Sequence, residues 1–350
     1  MLSFTVRAAP LFVTFAAGAL SKLPAAFEAC AGTRAVIAAT PSLQAVAVRA
    51  GELLGSSLVG TFEGVRPHVP GSAVKALAAL ATEREADVLI ALGGGAAIDL
   101  CKAAAAGTAL QVLAIPTTYG GSELTMHAGR TEARAKSAVA SGAPRAVVYD
   151  PELTNTLPVR AGAGSAMNAL AHCVEALYAP QPQPLALLAA REALGRIPPA
   201  MRIIANAPGD PFGRAELLYG AYLAGVALAG SGMALHHRIC HVLGGRYGIA
   251  HGDANAVILP HVARFNEPAA PAALATVALA LGVVDASEGL AQLARDAGAA
   301  QSLHELGLDR AELPVIADLV LSQPLANPRP VDRAQLVALL EAAWETRPRA

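Results

Sequence analysis

The chain has 350 residues, of which 54% are hydrophobic and 15% charged, and its formal net charge is −1. This length is large for one hydrophobic core and favours two domains. The near-neutral charge and the lack of any Lys/Arg run exclude a nucleic-acid surface as the main function. The four cysteines show no C-x-x-C spacing, which indicates reduced thiols in a cytoplasmic protein; they are Cys30, Cys101, Cys173 and Cys240.

Two apolar stretches superficially resemble export or membrane signals. The N-terminal twenty residues carry one Arg before an apolar run, but a proline and a strand-like pattern favour short strands over a signal peptide. Residues 217–235 contain no charged side chain, over a length that nearly spans a bilayer. Because Gly, Ala and Ser dilute this run, we expect a buried central helix and no membrane association.

The first 150 residues alternate short apolar runs with helical patterns. Strands are predicted at 34–40, 57–65, 86–95, 111–118 and from 145, with helices at 41–55, 72–85 and 96–107 between them. Such alternation predicts βαβ units and a parallel sheet. From about residue 160 only helical periodicity remains. The sequence therefore predicts an α/β domain over residues 1–153 and an all-α domain over residues 154–350.

A glycine turn separates the predicted strand 86–95 from the helix after it. Gly94 and Gly95 allow close backbone approach, and a helix N-terminus offers free N–H groups to a phosphate. Asp99, one turn further on, is a candidate for binding a ribose hydroxyl or for supporting the helix start. The G-x-G-x-x-G fingerprint is absent. A tight turn without a ligand therefore remains an alternative.

The segment PTTYGGSE (116–123) follows the next strand and carries the hydroxyls of Thr117, Thr118 and Ser122. Two such loops at the carboxyl ends of neighbouring strands predict a nucleotide site. The acidic residue that selects NAD in classical sites would follow strand 34–40, where Thr40 stands instead. Because no carboxylate there would repel a 2′-phosphate, we expect a nucleotide with or without this group to be accepted.

A row of histidines marks the helical half. His237 and His241 have i,i+4 spacing on a predicted helix that we expect to end at Gly244 and Gly245. Four of them fall within residues 236–251, and an earlier helix adds an Asn/His pair with i,i+4 spacing; the set is Asn168, His172, His236, His237, His241 and His251. Zinc and iron bind well to histidine with a carboxylate. A neutral amide at position 168 adds no compensating charge, so we expect the metal affinity to be much lower than that of a site with Asp at this position. The imidazoles would then donate hydrogen bonds and carry protons for an anionic substrate.

These segments together resemble the iron-containing alcohol dehydrogenase superfamily, over nearly the whole chain. The resemblance rests on LGGG with Asp99 and Lys102, PTTYGGSE, the Asn/His pair, HHRICHVLGG and HGDANAVILPH. PTTYGGSELT, MNALAHCVEALYAP and ALHHRICHVLGG are most similar to the maleylacetate reductases, in which Asn replaces the Asp of metal-dependent relatives and no metal is used. The implied architecture is a dehydroquinate-synthase-like fold, with a dinucleotide-binding α/β domain, a helical domain and an active site between them.

The resemblance also implies a reaction in the degradation of aromatic compounds. Hydride from NAD(P)H would add to the carbon–carbon double bond of maleylacetate, giving 3-oxoadipate. Negative charge then builds on an enolate oxygen, and the other alkene carbon needs a proton. By position, His172, His237 and His251 match the metal-binding histidines of relatives, and His241 matches the histidine near the nicotinamide. All four are expected to be catalytic, and a homodimer is the family's expected assembly.

Some positions depart from the maleylacetate reductase pattern. HGDANAV (251–257) stands where HAETHAV is usual, and MHAGRTEARAK replaces a stretch of Pro and apolar residues. His127 and Arg130 are therefore unusual, and Arg130 either clamps a substrate carboxylate or lies on the surface. Together with Tyr119 and Asn168 they are the candidate substrate-binding residues. The departures leave a closely related unsaturated keto acid open as the substrate. A metal-dependent alcohol or polyol dehydrogenase, a non-redox lyase or cyclase of this fold, and a non-catalytic binding protein remain alternatives.

Overall fold

The computed structural model describes residues 12–132, 135–181 and 183–345. The chain divides into two units, one ending at Leu157 and the other beginning at Pro158. The domain boundary predicted after residue 153 falls inside the 3-10 turn Pro151–Thr154. Residues 1–11, which make up half of the segment considered as a signal peptide, lie outside the described residues.

The described part of the first unit contains eight strands: β1 (Phe12–Phe15), β2 (Ala35–Ala39), β3 (Leu58–Phe62), β4 (Val88–Gly93), β5 (Gln111–Pro116), β6 (His127–Glu132), β7 (Ala135–Ala140) and β8 (Ala146–Tyr149). Six of them form a parallel sheet in the order β1-β8-β5-β4-β2-β3. Every residue of β2, β4 and β8 is buried, as expected for parallel strands covered on both faces. The predicted parallel sheet is confirmed.

Four helices cover this sheet: α1 (Leu23–Ala29), α2 (Gln44–Leu54), α3 (Gly71–Glu83) and α4 (Gly95–Ala105). Apolar side chains of α1 and α2 form one core cluster with Ile37, Ile90 and Leu113 of the sheet. The alternate residues of the same strands face the other way. There α4 packs on β4 and β5, with α3 beside it.

The strands β6 and β7 form a separate antiparallel hairpin, with His127 opposite Ala140. The sequence analysis did not predict this hairpin. Both segments are rich in Ala and in charged or small polar residues, which are depleted in strands. The hairpin is therefore stabilised by its tertiary setting, which local propensity does not reveal.

The second unit is helical, and its described residues contain no strand, as predicted. Its helices are α5 (Val159–Leu177), α6 (Pro184–Asn206), α7 (Pro211–Ser231), α8 (Leu235–Tyr247), α9 (His251–Asn266), α10 (Pro271–Leu281), α11 (Ala286–Asp296), α12 (Leu313–Leu321) and α13 (Arg333–Trp344). The helix α5 is buried along most of its length and packs against α6, α7 and α9. A second core joins α8, α9, α12 and α13.

The helix α8 does not end at Gly244 and Gly245, the position predicted from the sequence. The helix continues through both glycines to Tyr247 and ends at Gly248, whose φ of 71° gives the left-handed cap. Gly244 is buried within the helix. The prediction was wrong because a glycine ends a helix only where the chain takes up that left-handed conformation.

Within the described residues, one stretch, Pro271–Asp296, is long and apolar enough to cross a membrane by length and composition alone, and 44% of its most apolar window is buried. The helices α7 and α8 would count as a second candidate only if taken together across a 103° bend. The first stretch consists of α10 and α11, which have 11 residues each. Each helix alone is much shorter than the ~20 residues that a membrane span needs.

Candidate active site

The carboxyl ends of three neighbouring strands form the candidate nucleotide seat in the first unit. Thr40 follows β2, Gly94 and Gly95 follow β4, and Thr118 follows β5. In the sheet, β2 lies between β3 and β4. The chain therefore passes from β2 to β3 on one side and then crosses over to β4 on the other side. Ligands of open parallel sheets bind where the strand order reverses in this way.

The three glycines of this turn differ in what surrounds them. Gly93 has a φ of +151°, and a Cβ there would lie 2.1 Å from the Thr40 Oγ1 atom. A Cβ on Gly94 would lie 2.8 Å from the Thr118 Cγ2 atom. A Cβ on Gly95, the first residue of α4, would meet no atom within 4 Å. The helix N-terminus therefore opens onto free space, as a phosphate site requires.

Asp99 and Ser122, both predicted to bind the nucleotide, are hydrogen-bonded to each other. The Ser122 hydroxyl donates to the Asp99 Oδ1 atom, and the Gly129 N–H donates to Oδ2 at 3.1 Å. The ammonium group of Lys102 lies 3.8 Å from the same carboxylate. Burial lowers the pKa of Lys102 to about 8, although the carboxylates of Asp99 and Glu123 oppose this.

The candidate substrate-binding residues fall in both units. Tyr119 is buried, His127 is exposed on β6, and Arg130 is half-buried on the same strand. Asn168 is buried on α5 in the second unit. The structure thus brings Asn168 to the histidines, while the other three belong to the unit that carries the nucleotide seat.

The histidines meet because α5 and α9 approach each other at two glycines. A Cβ on Gly164 would lie 2.7 Å from the backbone carbonyl carbon of Gly252. This contact places His251, the first residue of α9, beside α5, which carries Asn168 and His172 one turn apart. Neither glycine can be replaced without separating the two backbones.

Glu175 links α5 to the N-terminus of α8 and was missed by the sequence analysis. Its carboxylate is buried and accepts hydrogen bonds from the backbone N–H groups of Ala234 at 2.8 Å and His236 at 2.9 Å. It also lies 2.6 Å from the His237 Nδ1 atom. Asn168, His172 and Glu175 follow i, i+4, i+7 spacing, so all three share one face of α5. That spacing was the signal that could have identified Glu175.

His237 is held between two side chains of α5. Burial raises the pKa of Glu175, but the imidazoles of His237 and His236 and the hydrogen bonds to the carboxylate together lower it below its usual value, so the carboxylate is ionised and can only accept. The His237 Nδ1 atom must therefore carry a proton. Its Nε2 atom lies 3.2 Å from the Asn168 Oδ1 atom. An amide can donate to a bare Nε2 atom or accept from a protonated one, whereas a carboxylate can only accept.

The four histidines predicted to be catalytic form one cluster around the His237 ring. The His172 and His237 rings stack with centroids 4.7 Å apart. The centroid of His237 lies 6.4 Å from that of His241 and 6.4 Å from that of His251. The His241 and His251 rings stack at 5.8 Å. His172 and His237 are buried, whereas His241 and His251 are partly exposed.

His236 is fully buried and packs edge-on against His237. Its Nε2 atom lies 2.6 Å from the Asn255 Oδ1 atom, and the Asn255 amide donates to the His251 carbonyl at 2.6 Å. Burial lowers the pKa of His236 to about 4. The pKa of His172 is also well below its usual value, because burial and the neighbouring imidazoles disfavour its charged form. Both side chains are therefore neutral near pH 7.

In this chain the residues that match the metal site of the superfamily are three histidines and a neutral asparagine, with no carboxylate among them. Among the residues that the structure describes, no group of three or more His, Cys, Asp or Glu side chains is arranged to hold one. The His237 Nε2 atom is directed at the neutral amide of Asn168. Three imidazoles and an amide supply no negative charge to a divalent cation.

Comparisons with known proteins match both units. Residues 10–151 match the family model described as iron-containing alcohol dehydrogenase, and residues 162–344 match that of the Fe-containing alcohol dehydrogenase family, C-terminal. A maleylacetate reductase from Burkholderia cepacia is 40% identical over 95% of each chain. The crystal structure of a maleylacetate reductase from Agrobacterium tumefaciens is 36% identical, with a TM-score of 0.92 over 98% of this chain and 99% of that one.

A second solved structure, the maleylacetate reductase from Rhizobium sp. strain MTP-10005, also has a TM-score of 0.92 at 36% identity, over 99% of this chain and 100% of that one. Matches of this extent in both sequence and structure confirm the predicted fold and superfamily. The chain is an oxidoreductase that belongs to the iron-containing alcohol dehydrogenase family, and its similarity within that family is to the maleylacetate reductases.

Proposed function

We propose that this enzyme reduces the carbon–carbon double bond of maleylacetate with NAD(P)H, giving 3-oxoadipate, without an essential metal ion. The observation that carries the proposal is the packing of the histidine cluster around the neutral Asn168. The 40% identity to a maleylacetate reductase supports the choice of substrate. A cytoplasmic homodimer that binds a small anionic substrate is part of the proposal.

The nucleotide seat suits NADH or NADPH. Gly95 leaves room at the helix N-terminus for a pyrophosphate, and Thr40 and Thr118 line the adjoining strand ends. Thr40 carries no charge that would repel a 2′-phosphate, which supports the use of both cofactors. When bound, the nicotinamide supplies the hydride.

The histidines provide the remaining chemistry. Addition of hydride to the alkene carbon β to the ketone makes an enolate, and the neighbouring carbon then takes a proton. We assign these contacts to His241 and His251, which are the partly exposed members of the cluster. The buried His172 and His237 order them by ring packing. Donors preorganised toward the developing oxyanion lower the barrier in place of a Lewis acid.

The direct test uses purified, EDTA-treated protein with NADH or NADPH and freshly prepared maleylacetate. We expect rapid oxidation of either nucleotide, at a rate that added Zn²⁺ or Fe²⁺ does not increase. The measurement is the absorbance of the reduced nicotinamide, with metal content assayed on the same sample. Activity that disappears with EDTA and returns with zinc, or zinc-dependent oxidation of an alcohol, would contradict the proposal.

The seat itself is tested by two adjacent glycines. Gly95→Ala is expected to leave the unfolding temperature unchanged but to weaken NADH binding about tenfold, because the new methyl group enters the open space at the helix start. Gly93→Ala is the matched comparison and should lower the stability by about 1–3 kcal/mol, because its φ suits only glycine. Thermal unfolding and NADH titration measure both effects. Normal NADH binding by Gly95→Ala would place the pyrophosphate elsewhere.

A further inference from the structure

The side chain of Lys102 is fully buried on α4, at a point that the proposed reaction does not use. Its ammonium group donates to the Ser122 carbonyl at 2.8 Å, to the Thr125 hydroxyl at 2.8 Å, and to the His127 carbonyl. An ammonium group has three protons, so its donor capacity is filled. Burying such a charge is costly unless these bonds are made. The three acceptors lie within residues 122–127, from the end of the nucleotide loop to the first residue of strand β6.

Asp99 lies one helical turn before Lys102 and contacts the same segment. One carboxylate oxygen accepts from the Ser122 hydroxyl, and the other accepts from the Gly129 N–H at 3.1 Å. Spacing of i,i+3 places both α4 side chains on one face of the helix. Each oxygen of Asp99 therefore already accepts a hydrogen bond from the segment that Lys102 also binds.

We propose that Asp99 and Lys102 are positioning residues, forming a buried clasp that holds segment 122–129 onto α4 and thereby fixes the nucleotide seat without contacting the nucleotide. The helix α4 carries Gly95 at its start and the clasp in its next two turns. Thr118 packs against Gly94, just before the start of this helix. Both ends of the loop between β5 and β6 therefore contact α4 or the glycine turn just before it.

The clasp also holds the first residues of strand β6 against α4. Lys102 holds the carbonyl of His127, and Asp99 holds the N–H of Gly129. Arg130 follows directly on the same strand. The hairpin that departs most from the maleylacetate reductase pattern is therefore anchored to the helix that forms the phosphate seat. This part of the inference rests on the proposed function only for the identity of the nucleotide.

The experiment compares Asp99→Ala, Asp99→Asn, Lys102→Met and the Asp99→Ala/Lys102→Met double variant in the full-length protein. Two quantities are measured: the dissociation constant of NADH, and backbone hydrogen exchange over residues 122–131 without nucleotide. We expect each of Asp99→Ala and Lys102→Met to weaken NADH binding about tenfold. The double variant should bind no more weakly than the worse single one, because both remove the same clasp. Saturating NADH should restore kcat.

In Asp99→Asn the amide oxygen can still accept from the Gly129 N–H, and the NH₂ group can donate to the Ser122 hydroxyl oxygen. This variant should therefore retain most of the NADH affinity, and it keeps the test open if alanine variants fold poorly. Lys75→Met, which replaces an exposed lysine of α3, is the matched control and should change neither quantity. Exchange over residues 122–131 should accelerate in both clasp variants.

Three results would overturn the proposal. One is additive loss of NADH affinity, which indicates independent contacts with the nucleotide. Another is loss in Asp99→Ala but not in Lys102→Met, which indicates a direct ribose ligand. The third is unchanged hydrogen exchange in both variants. Failure of the proposed function is separately visible, because wild-type protein would then bind no NADH while the exchange measurement still reports on the clasp.

Discussion

Glu175→Gln is expected to lower kcat for maleylacetate reduction about a hundredfold, the upper range for losing a buried partner that orients a site histidine. NADH binding should be unchanged, because the nucleotide seat lies in the other unit. The single glutamine oxygen can still accept from the His236 N–H, which keeps part of the α8 cap, whereas the Ala234 N–H loses its acceptor. Steady-state kinetics and NADH titration measure the two effects.

The physical reason is the proton on His237. The Glu175 carboxylate accepts from its Nδ1 atom at 2.6 Å, which leaves Nε2 directed at Asn168. The NH₂ group of a glutamine at 175 would donate to Nδ1, so the ring proton would move to Nε2. Nε2 would then donate to the Asn168 Oδ1 atom, which already lies 3.2 Å from it, and could no longer accept a proton or a hydrogen bond.

Two further variants serve as comparisons for Glu175→Gln. Glu175→Ala removes the cap and the carboxylate together and should cost about 3–5 kcal/mol of stability, as breaking a buried pair does. Glu192→Gln, at an exposed ion pair of α6, should have no effect on kcat. If Glu175→Gln retained full kcat, the orientation of His237 would not matter to the reaction.

The sequence predicted the parallel sheet and the helical unit because both depend on local patterns. Continuous apolar runs such as VLIALG are buried on both faces, and they alternate with helical periodicity. The hairpin of β6 and β7 was missed because it is stabilised by the side chains of Asp99 and Lys102, which lie more than twenty residues away. Tertiary hydrogen bonds of this kind leave no period in the sequence.

The candidate site was predicted in part for a similar reason. Histidines concentrated in one window are visible in the sequence, and the structure brings all four predicted ones together with Asn168. Asp99 and Ser122 were interpreted as nucleotide contacts from their position after glycines, yet they bond to each other. The position of these residues after glycines indicates that polar side chains are needed there. Whether such a residue contacts the ligand or another side chain depends on its partners in three dimensions.

Asn168→Asp is expected to give this chain a divalent metal site. The new carboxylate would be buried, 3–4 Å from the His237 Nε2 atom by analogy with the amide now at 3.2 Å, and close to His172. An unpaired buried carboxylate costs several kcal/mol. The metal-free variant should therefore unfold at a lower temperature than the wild type and lose most of its reductase activity.

Zinc should reverse this loss of stability in the variant alone. Three imidazoles with one carboxylate form a donor set that zinc binds well, and ligand at about 100 times its dissociation constant adds about 2.7 kcal/mol. The measurement is thermal unfolding of EDTA-treated wild type, Asn168→Asp and Asn168→Ala with and without ZnCl₂. Asn168→Ala is the control, because it removes the amide without adding charge. A zinc-induced rise as large in the wild type as in Asn168→Asp would mean that the amide does not prevent metal binding, and the metal-independent mechanism would then lose its structural basis.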